Sequence, residues 1–318
     1  MHSHKYRLLP TVAFAGLIGF SVSAFAEEPT AELTSKWGPD DQIGAANYLS
    51  ADKVKEAVAL VKLGKTYSLG VELNRDFPAY GTRAFDITVV ESRPGRSTVG
   101  SNKLTSADDF LHTWVGIGSH MDGFGHIGID YMHYNGNMAE DILATDGLKK
   151  LGLEQLPPVV TRGVLIDMAA HFGKDMLEEG TAFNREDIEA AAKAQGVDIR
   201  EGDVVLFHTG WLNLVGKDNA RFGKGEPGLG VEGAQYLADQ GVVAVGSDTW
   251  GVEVVPFEEG AGIFAVHQTL LAKNGVYILE NMDTRELARD QAHEFLFVLG
   301  QPKVKGSVQM MINPTAIR

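Results

Sequence analysis

Apolar residues recur along this chain with two different periods. After Ser50, the positions Val54, Ala57, Val58 and Val61 fall on one helical stripe, with Ser50 as N-cap and Gly64 as the stop. Further on, largely apolar runs at Val159–Met168, Asp203–Thr209, Val242–Ser247, Val276–Asn281 and Glu294–Leu299 predict strands with buried faces. Helical patterns lie between them, at Asn184–Ala194 with Asn184 as cap, at Val231–Gln240 and at Gly262–Lys273. The first half is richer in strands, with candidates at Tyr67–Leu73 and Ala84–Val90. A short β-rich run, Thr113–Ile117, feeds a glycine-rich segment. This alternation predicts a mixed α/β fold in one domain, with no internal repeat, low-complexity tract or linker.

The first residues follow another pattern. A basic start with Lys5 and Arg7 leads into an apolar stretch from Leu8 to Phe20, then the small-x-small sequence Ala24-Phe25-Ala26 and the acidic Glu27-Glu28. That layout predicts a signal peptide over residues 1–26, cleaved near Ala26, and a periplasmic or secreted domain over residues 27–318. Cleavage removes Lys5 and Arg7 but no acids, so the formal charge moves from −14 to −16. Phosphate-rich partners repel such a chain, which excludes nucleic acid and anionic membrane surfaces. No later apolar run is long enough to span a bilayer. Cysteine is absent, so thiolate zinc sites and cysteine nucleophiles are excluded and any metal must be held by His, Asp, Glu and water.

The candidate chemistry lies in a histidine cluster. His112, His120, His126 and His133 fall within 22 residues. Across Gly116-Ile117-Gly118-Ser119-His120-Met121-Asp122-Gly123-Phe124-Gly125-His126, three polar residues share parity. In an extended segment His120, Asp122 and His126 project to one side. Two imidazoles and a carboxylate converging there suit a hard or borderline divalent cation. Gly118, Gly123 and Gly125 permit turns beside them.

This segment resembles the signature of the cyclase family of metal-dependent hydrolases, the group of bacterial kynurenine formamidase and isatin hydrolase, which reads His-x-Gly-Thr-His-x-Asp-x-Pro-x-His. Gly118, His120, Asp122 and His126 match in place, with Ser119 for Thr and Phe124 for Pro. The likeness runs on through Gly202–Trp211, Gly246-Ser247-Asp248 ahead of Pro256, His267 and Glu280, and spans about residues 37 to 300. It implies a swivelling β/β/α domain, a mixed sheet with flanking helices, in a homodimer or homotetramer. It also implies Zn²⁺ or Mn²⁺ held by His120, Asp122, His267 and Glu280, with His126 as acid/base. The implied reaction is hydrolysis of an amide, lactam, lactone or ester bond in a small cyclic or acylated molecule. The rival reading is a catalytically inactive periplasmic homologue that binds a small molecule.

The departure is Gly116, where the family has its first metal-binding histidine. A glycine offers no side-chain ligand. Water, His112 or another residue must fill the place, or the site keeps one metal or none. His112 shares parity, but a strand rise of ~3.3 Å per residue puts it ~13 Å from Gly116. Trp114, Phe124, Tyr131 and Trp250 are candidates to line a pocket for an aromatic substrate, or else to fill the core. His171, His208 and His293 have no convergent partners in sequence. Gly228-Leu229-Gly230-Val231-Glu232-Gly233 has the glycine spacing of a dinucleotide loop but no strand before it. Neither Ser119 nor Ser247 sits in a nucleophile elbow, and Ser119 is read as supporting the site.

Overall fold

The computed structural model describes residues 33–91, 95 and 97–318, so the expected signal peptide lies outside the described residues. Among the described residues, nine strands form the main sheet. In chain order they are β1 (Thr66–Ser68), β2 (His120–Asp122), β3 (Val159–Asp167), β4 (Val204–His208), β5 (Ala244–Ser247), β6 (Tyr277–Glu280), β7 (Glu294–Leu299), β8 (Gln309–Met311) and β9 (Thr315–Ile317). Their spatial order is β1-β9-β7-β3-β4-β5-β6-β2-β8. The central four, β3, β4, β5 and β6, are parallel, and antiparallel strands extend the sheet on both sides.

The parallel centre follows from the apolar runs. Val164–Ile166 and Val204–Phe207 have no exposed side chain on either face, which is what helical cover over a parallel sheet requires. Helix α1 (Ala51–Val58) packs on β3 and β7, and helices α2 (Arg185–Gln195) and α3 (Val231–Asp239) pack on one another. Ser50 caps α1 by accepting from Lys53 N at 3.2 Å. At α2, the Asp187 carboxylate accepts from Asn184 N at 3.1 Å, and Gly196 ends the helix in the left-handed region at φ +74°.

Several predicted boundaries shift, each for a local reason. α1 stops at Val58 because Leu60 and Val61 bond three residues back and tighten the chain into turns. Tyr67–Leu73 shortens to β1 because Asn313 Oδ1 takes the Gly70 amide and Ser119 Oγ takes the Val71 amide, in place of ladder carbonyls. Thr113–Ile117 is not a strand. The strand there is Ala107–Thr113, which pairs with Phe85–Glu91 in a hairpin apart from the main sheet. Gly262–Lys273 becomes helical only at Ala265 and continues beyond His267 as a π-helical turn, Gln268–Lys273. The three-residue strands β8 and β9 are too short to leave a period in the sequence.

Gly163, inside β3, shows how tightly the centre is filled. A Cβ there would lie 2.6 Å from Cδ2 of Phe295, a fully buried ring on the neighbouring β7. Gly163→Ala is therefore expected to destabilise the protein by about 1–3 kcal/mol, the usual cost of overpacking. Urea unfolding measures this, and a variant as stable as the parent would show that the ring moves aside freely.

Candidate metal centre

Strand β2 lies between β6 and β8, and this position builds the site. His120 and Asp122 are two residues apart, so both side chains leave one face while Met121 enters the core from the other. The register sets Glu280 opposite His120 and Gln309 opposite Asp122. Cross-strand neighbours share a face, so these four side chains converge. His267 completes the group from the end of the helix Ala265–His267. Its Nε2 is 3.2 Å from Glu280 Oε1 and 3.7 Å from Asp122 Oδ2.

Both buried imidazoles are oriented from behind. His120 Nδ1 donates to Gly118 O at 2.8 Å, which directs Nε2 inward. That nitrogen lies 3.5 Å from Asp122 Oδ1 and 3.0 Å from Glu280 Oε2. For His267 the rear group is Glu253, whose Oε2 accepts from the backbone N at 3.1 Å and faces Nδ1 at 3.3 Å. One rear partner fixes the ring, and the other nitrogen is presented to the centre.

Ligand atoms of His120, Asp122 and Glu280 all lie within 4.8 Å of one another. His120 Nε2 and Asp122 Oδ2 are buried with no hydrogen-bond partner among the described residues, although Glu280 approaches His120 Nε2 at 3.0 Å. Buried polar atoms are rarely left so. Two imidazole nitrogens and two carboxylates fit a divalent cation of the hard or borderline kind.

His126 comes to the centre differently from the parity argument. β2 ends at Asp122, and a turn closed by His126 N donating to Gly123 O at 3.0 Å brings the ring back. Its Nε2 is 3.9 Å from Asp122 Oδ2, and its side chain keeps 20% exposure where the other ligand-type residues are buried. It faces a cleft of about 120 Å³, lined also by Tyr80, Arg83, Ile127, Trp250 and Phe264. Tyr80 stacks on Trp250 at 5.4 Å, and Phe264 meets Tyr80 edge-on at 6.1 Å, so one wall is aromatic.

The imidazoles differ in protonation. Burial pushes His126 below its ordinary range, with the charge on His267 helping, against the opposing pull of Asp122. Burial acts the same way on His120, but Glu280 and Asp122 outweigh it and raise the group. For His267 the hydrogen bonds to Glu253 and Glu280 overcome burial and raise it to about 10. Glu280 is held well below the usual carboxylate range, because the two imidazoles outweigh the effect of burial.

Trp250 lines the cleft. Phe124 is a core residue, 1% exposed, with its ring 4.4 Å from that of Tyr277. Trp114 is 56% exposed and is not part of the cleft lining. Tyr131 is likewise exposed. His112 points from the exposed hairpin, opposite Asp86, and does not reach the centre. His208, at the end of β4, bonds Thr284 Oγ1 at 2.7 Å and approaches Asp248 at 3.3 Å, in a structural network. His171 faces Asp187 at 3.8 Å, and His293 bonds Leu165 O. Gly228 is glycine because a Cβ would strike the Val252–Glu253 backbone, so the glycine-rich run there is a packing feature. Sequence reading missed Glu253, Arg83, Tyr80 and Gln309, none of which belongs to a spaced motif.

The fold is that of a cyclase-like α/β protein. The chain belongs to the Cyclase family, whose model, described as "Putative cyclase", matches residues 67–254. A crystal structure of a novel cyclase is similar at 28% identity and TM-score 0.81, over 89% of this chain and 98% of that one. Isatin hydrolase A from Ralstonia solanacearum is similar at 19% identity and TM-score 0.61, over 80% and 92%. A predicted metal-dependent hydrolase from Bacillus stearothermophilus is similar at 20% identity and TM-score 0.51, over 79% and 97%. No curated protein matches the chain in sequence.

The raised imidazoles generate a test. Below its raised pKa an imidazole keeps its proton, and a cation binds only the neutral ring. Cation uptake is therefore expected to release protons and to tighten as pH rises toward the His267 value of about 10. Titration calorimetry in buffers of different ionisation enthalpy measures the release. Affinity independent of pH, with no proton released, would contradict this protonation pattern.

Proposed function

We propose that this protein is a divalent-cation-dependent hydrolase, using Zn²⁺ or Mn²⁺, that opens an amide, lactam, lactone or ester bond in a small aromatic-bearing molecule. The observation that carries the reading is the convergence of His120, Asp122 and Glu280, with His267 close to Asp122 and Glu280 and with unpartnered buried ligand atoms on His120 and Asp122, beneath a cleft holding one neutral histidine. A cation held there would polarise the substrate carbonyl and acidify water.

The chain's own residues account for the remaining steps. Tyr80 and Trp250 offer a flat apolar wall to the substrate's ring. His126, kept neutral by burial, accepts a proton from the attacking water as its oxygen bonds to the carbonyl carbon. The C–N or C–O bond then breaks, and the protonated His126 returns the proton to the leaving nitrogen or oxygen. Glu253 keeps His267 fixed throughout through Nδ1 and the backbone.

His126→Ala is expected to retain bound cation yet lose activity by ~10²–10⁴-fold, the usual worth of a positioned proton carrier. The measurement is turnover of a panel of N-acyl arylamines, aryl lactams and aryl lactones, beside elemental analysis of parent and variant. Full activity in the variant removes His126 from the mechanism. Parent protein that neither holds cation nor gains melting temperature from added Zn²⁺ or Mn²⁺ sinks the whole reading, since an ion that binds the folded state must stabilise it.

Export to the periplasm is part of the same proposal and is supported by the layout of residues 1–26. The mass of protein recovered from the native cell is expected to correspond to a chain starting at Glu27. Recovery of periplasmic material that still carries residues 1–26 would count against it.

A further inference from the structure

Gly116 and Gln309 are far apart in sequence and in contact in the fold. A Cβ on Gly116 would lie 2.6 Å from Cδ of Gln309 and 2.7 Å from its Nε2, inside any tolerable contact. The amide fills that space. Gln309 is buried, stands opposite Asp122 in the β2–β8 ladder, and donates from Nε2 to Asp122 Oδ1 at 2.6 Å. The same Nε2 is 3.5 Å from His126 Nε2. Gly116 is held in place from its other side, where its carbonyl accepts from Arg83 at 2.7 Å.

We propose that Gly116 and Gln309 are a coupled pair: the glycine makes room for an amide that occupies one oxygen of Asp122 and leaves the other to a single divalent cation. Gln309 is a positioning residue. Its N–H fixes the rotation of the Asp122 carboxylate, so Oδ2, the oxygen without a hydrogen-bond partner, faces His267. With Oδ1 committed to an N–H, Asp122 has one oxygen left free and cannot bridge two ions through separate oxygens. A larger residue at position 116 would not simply add a ligand, because it would first expel the amide. This inference rests on the cation-dependent reading above.

The test is a double-mutant cycle read by Mn²⁺ titration calorimetry and elemental analysis, on parent, Gly116→Ala, Gln309→Ala and the double variant. Gln309→Met is added because it keeps side-chain length and removes the donor. The parent is expected to hold one Mn²⁺ per chain. Gln309→Ala and Gln309→Met should each bind ~10–100-fold more weakly, as loss of a partner behind a ligand usually does. Gly116→Ala should weaken binding in the parent background but by less than ~2-fold once Gln309 is alanine, since coupled sites are non-additive. The visible spectrum of the Co²⁺-loaded protein should shift in Gln309→Met, which a purely structural role would leave unchanged. If Gly116→Ala alone fails to fold, rescue by Gln309→Ala supports the pair, and failure of the double variant overturns it. Two tightly held ions in the parent overturn it, as does equal cost of Gly116→Ala in both backgrounds or parent-like binding in Gln309→Met. A parent that binds no Mn²⁺ or Zn²⁺ defeats the functional reading itself, whereas unchanged binding in the variants defeats only this pair.

Discussion

Buried negative charge is the constraint around which this molecule is organised. Asp122, Glu226, Glu253 and Glu280 are all 4% exposed or less and serve one end of the sheet. Removing a carboxylate from water costs several kcal/mol unless it finds partners. Glu226 shows the difficulty: burial, together with Glu280 and Glu253, raises it well above the ordinary carboxylate value, although it accepts from Trp250 N at 2.6 Å. The two imidazoles answer the remaining charge. Each is raised by the acids it faces and in turn lowers Glu280.

Everything else in the site serves to hold these groups in register. The sheet does most of it, because an antiparallel ladder fixes which residues face each other and the pleat fixes the side. His120 and Glu280 meet through one rung, Asp122 and Gln309 through another. Ser119 links the segments behind the centre, accepting from Val71 N at 2.8 Å and donating to Asn281 O at 2.6 Å. That is the supporting part its place beside His120 suggested. His126 is the exception to sheet geometry: it stands on a turn, partly exposed, and lines the cleft.

The parallel centre of the sheet was legible because long apolar runs have one stable use in a chain of this size. Val159–Asp167 and Glu294–Leu299 lie almost where their patterns put them. His120 and Asp122 were legible from their spacing, and His267 and Glu280 only through the family resemblance. The shared parity of His126 placed it beside Asp122 for the wrong geometric reason, since a turn rather than a strand returns it. Phe124 shows the limit for aromatics: ring and spacing do not reveal whether a side chain faces a cleft or, as here, Tyr277. Gln309 was illegible for a different reason. It lies in a three-residue strand, and its meaning depends on the absence of a side chain at Gly116, a contact no local pattern records.

The sequence distance between those partners also bears on how the protein reaches its native state. The bond from Gln309 to Asp122 spans 187 residues, and that from His267 to Glu253 spans 14. Contacts that close long loops lose chain entropy before they gain anything and tend to form slowly. The helix-and-carboxylate side of the centre can therefore assemble early and locally, whereas β2 must wait to be enclosed between β6 and β8. With β8 unpaired, Asp122 would lie on an open sheet edge, so completing its burial depends on the β2–β8 pairing. The candidate centre is thus a product of the completed topology rather than a nucleus for it.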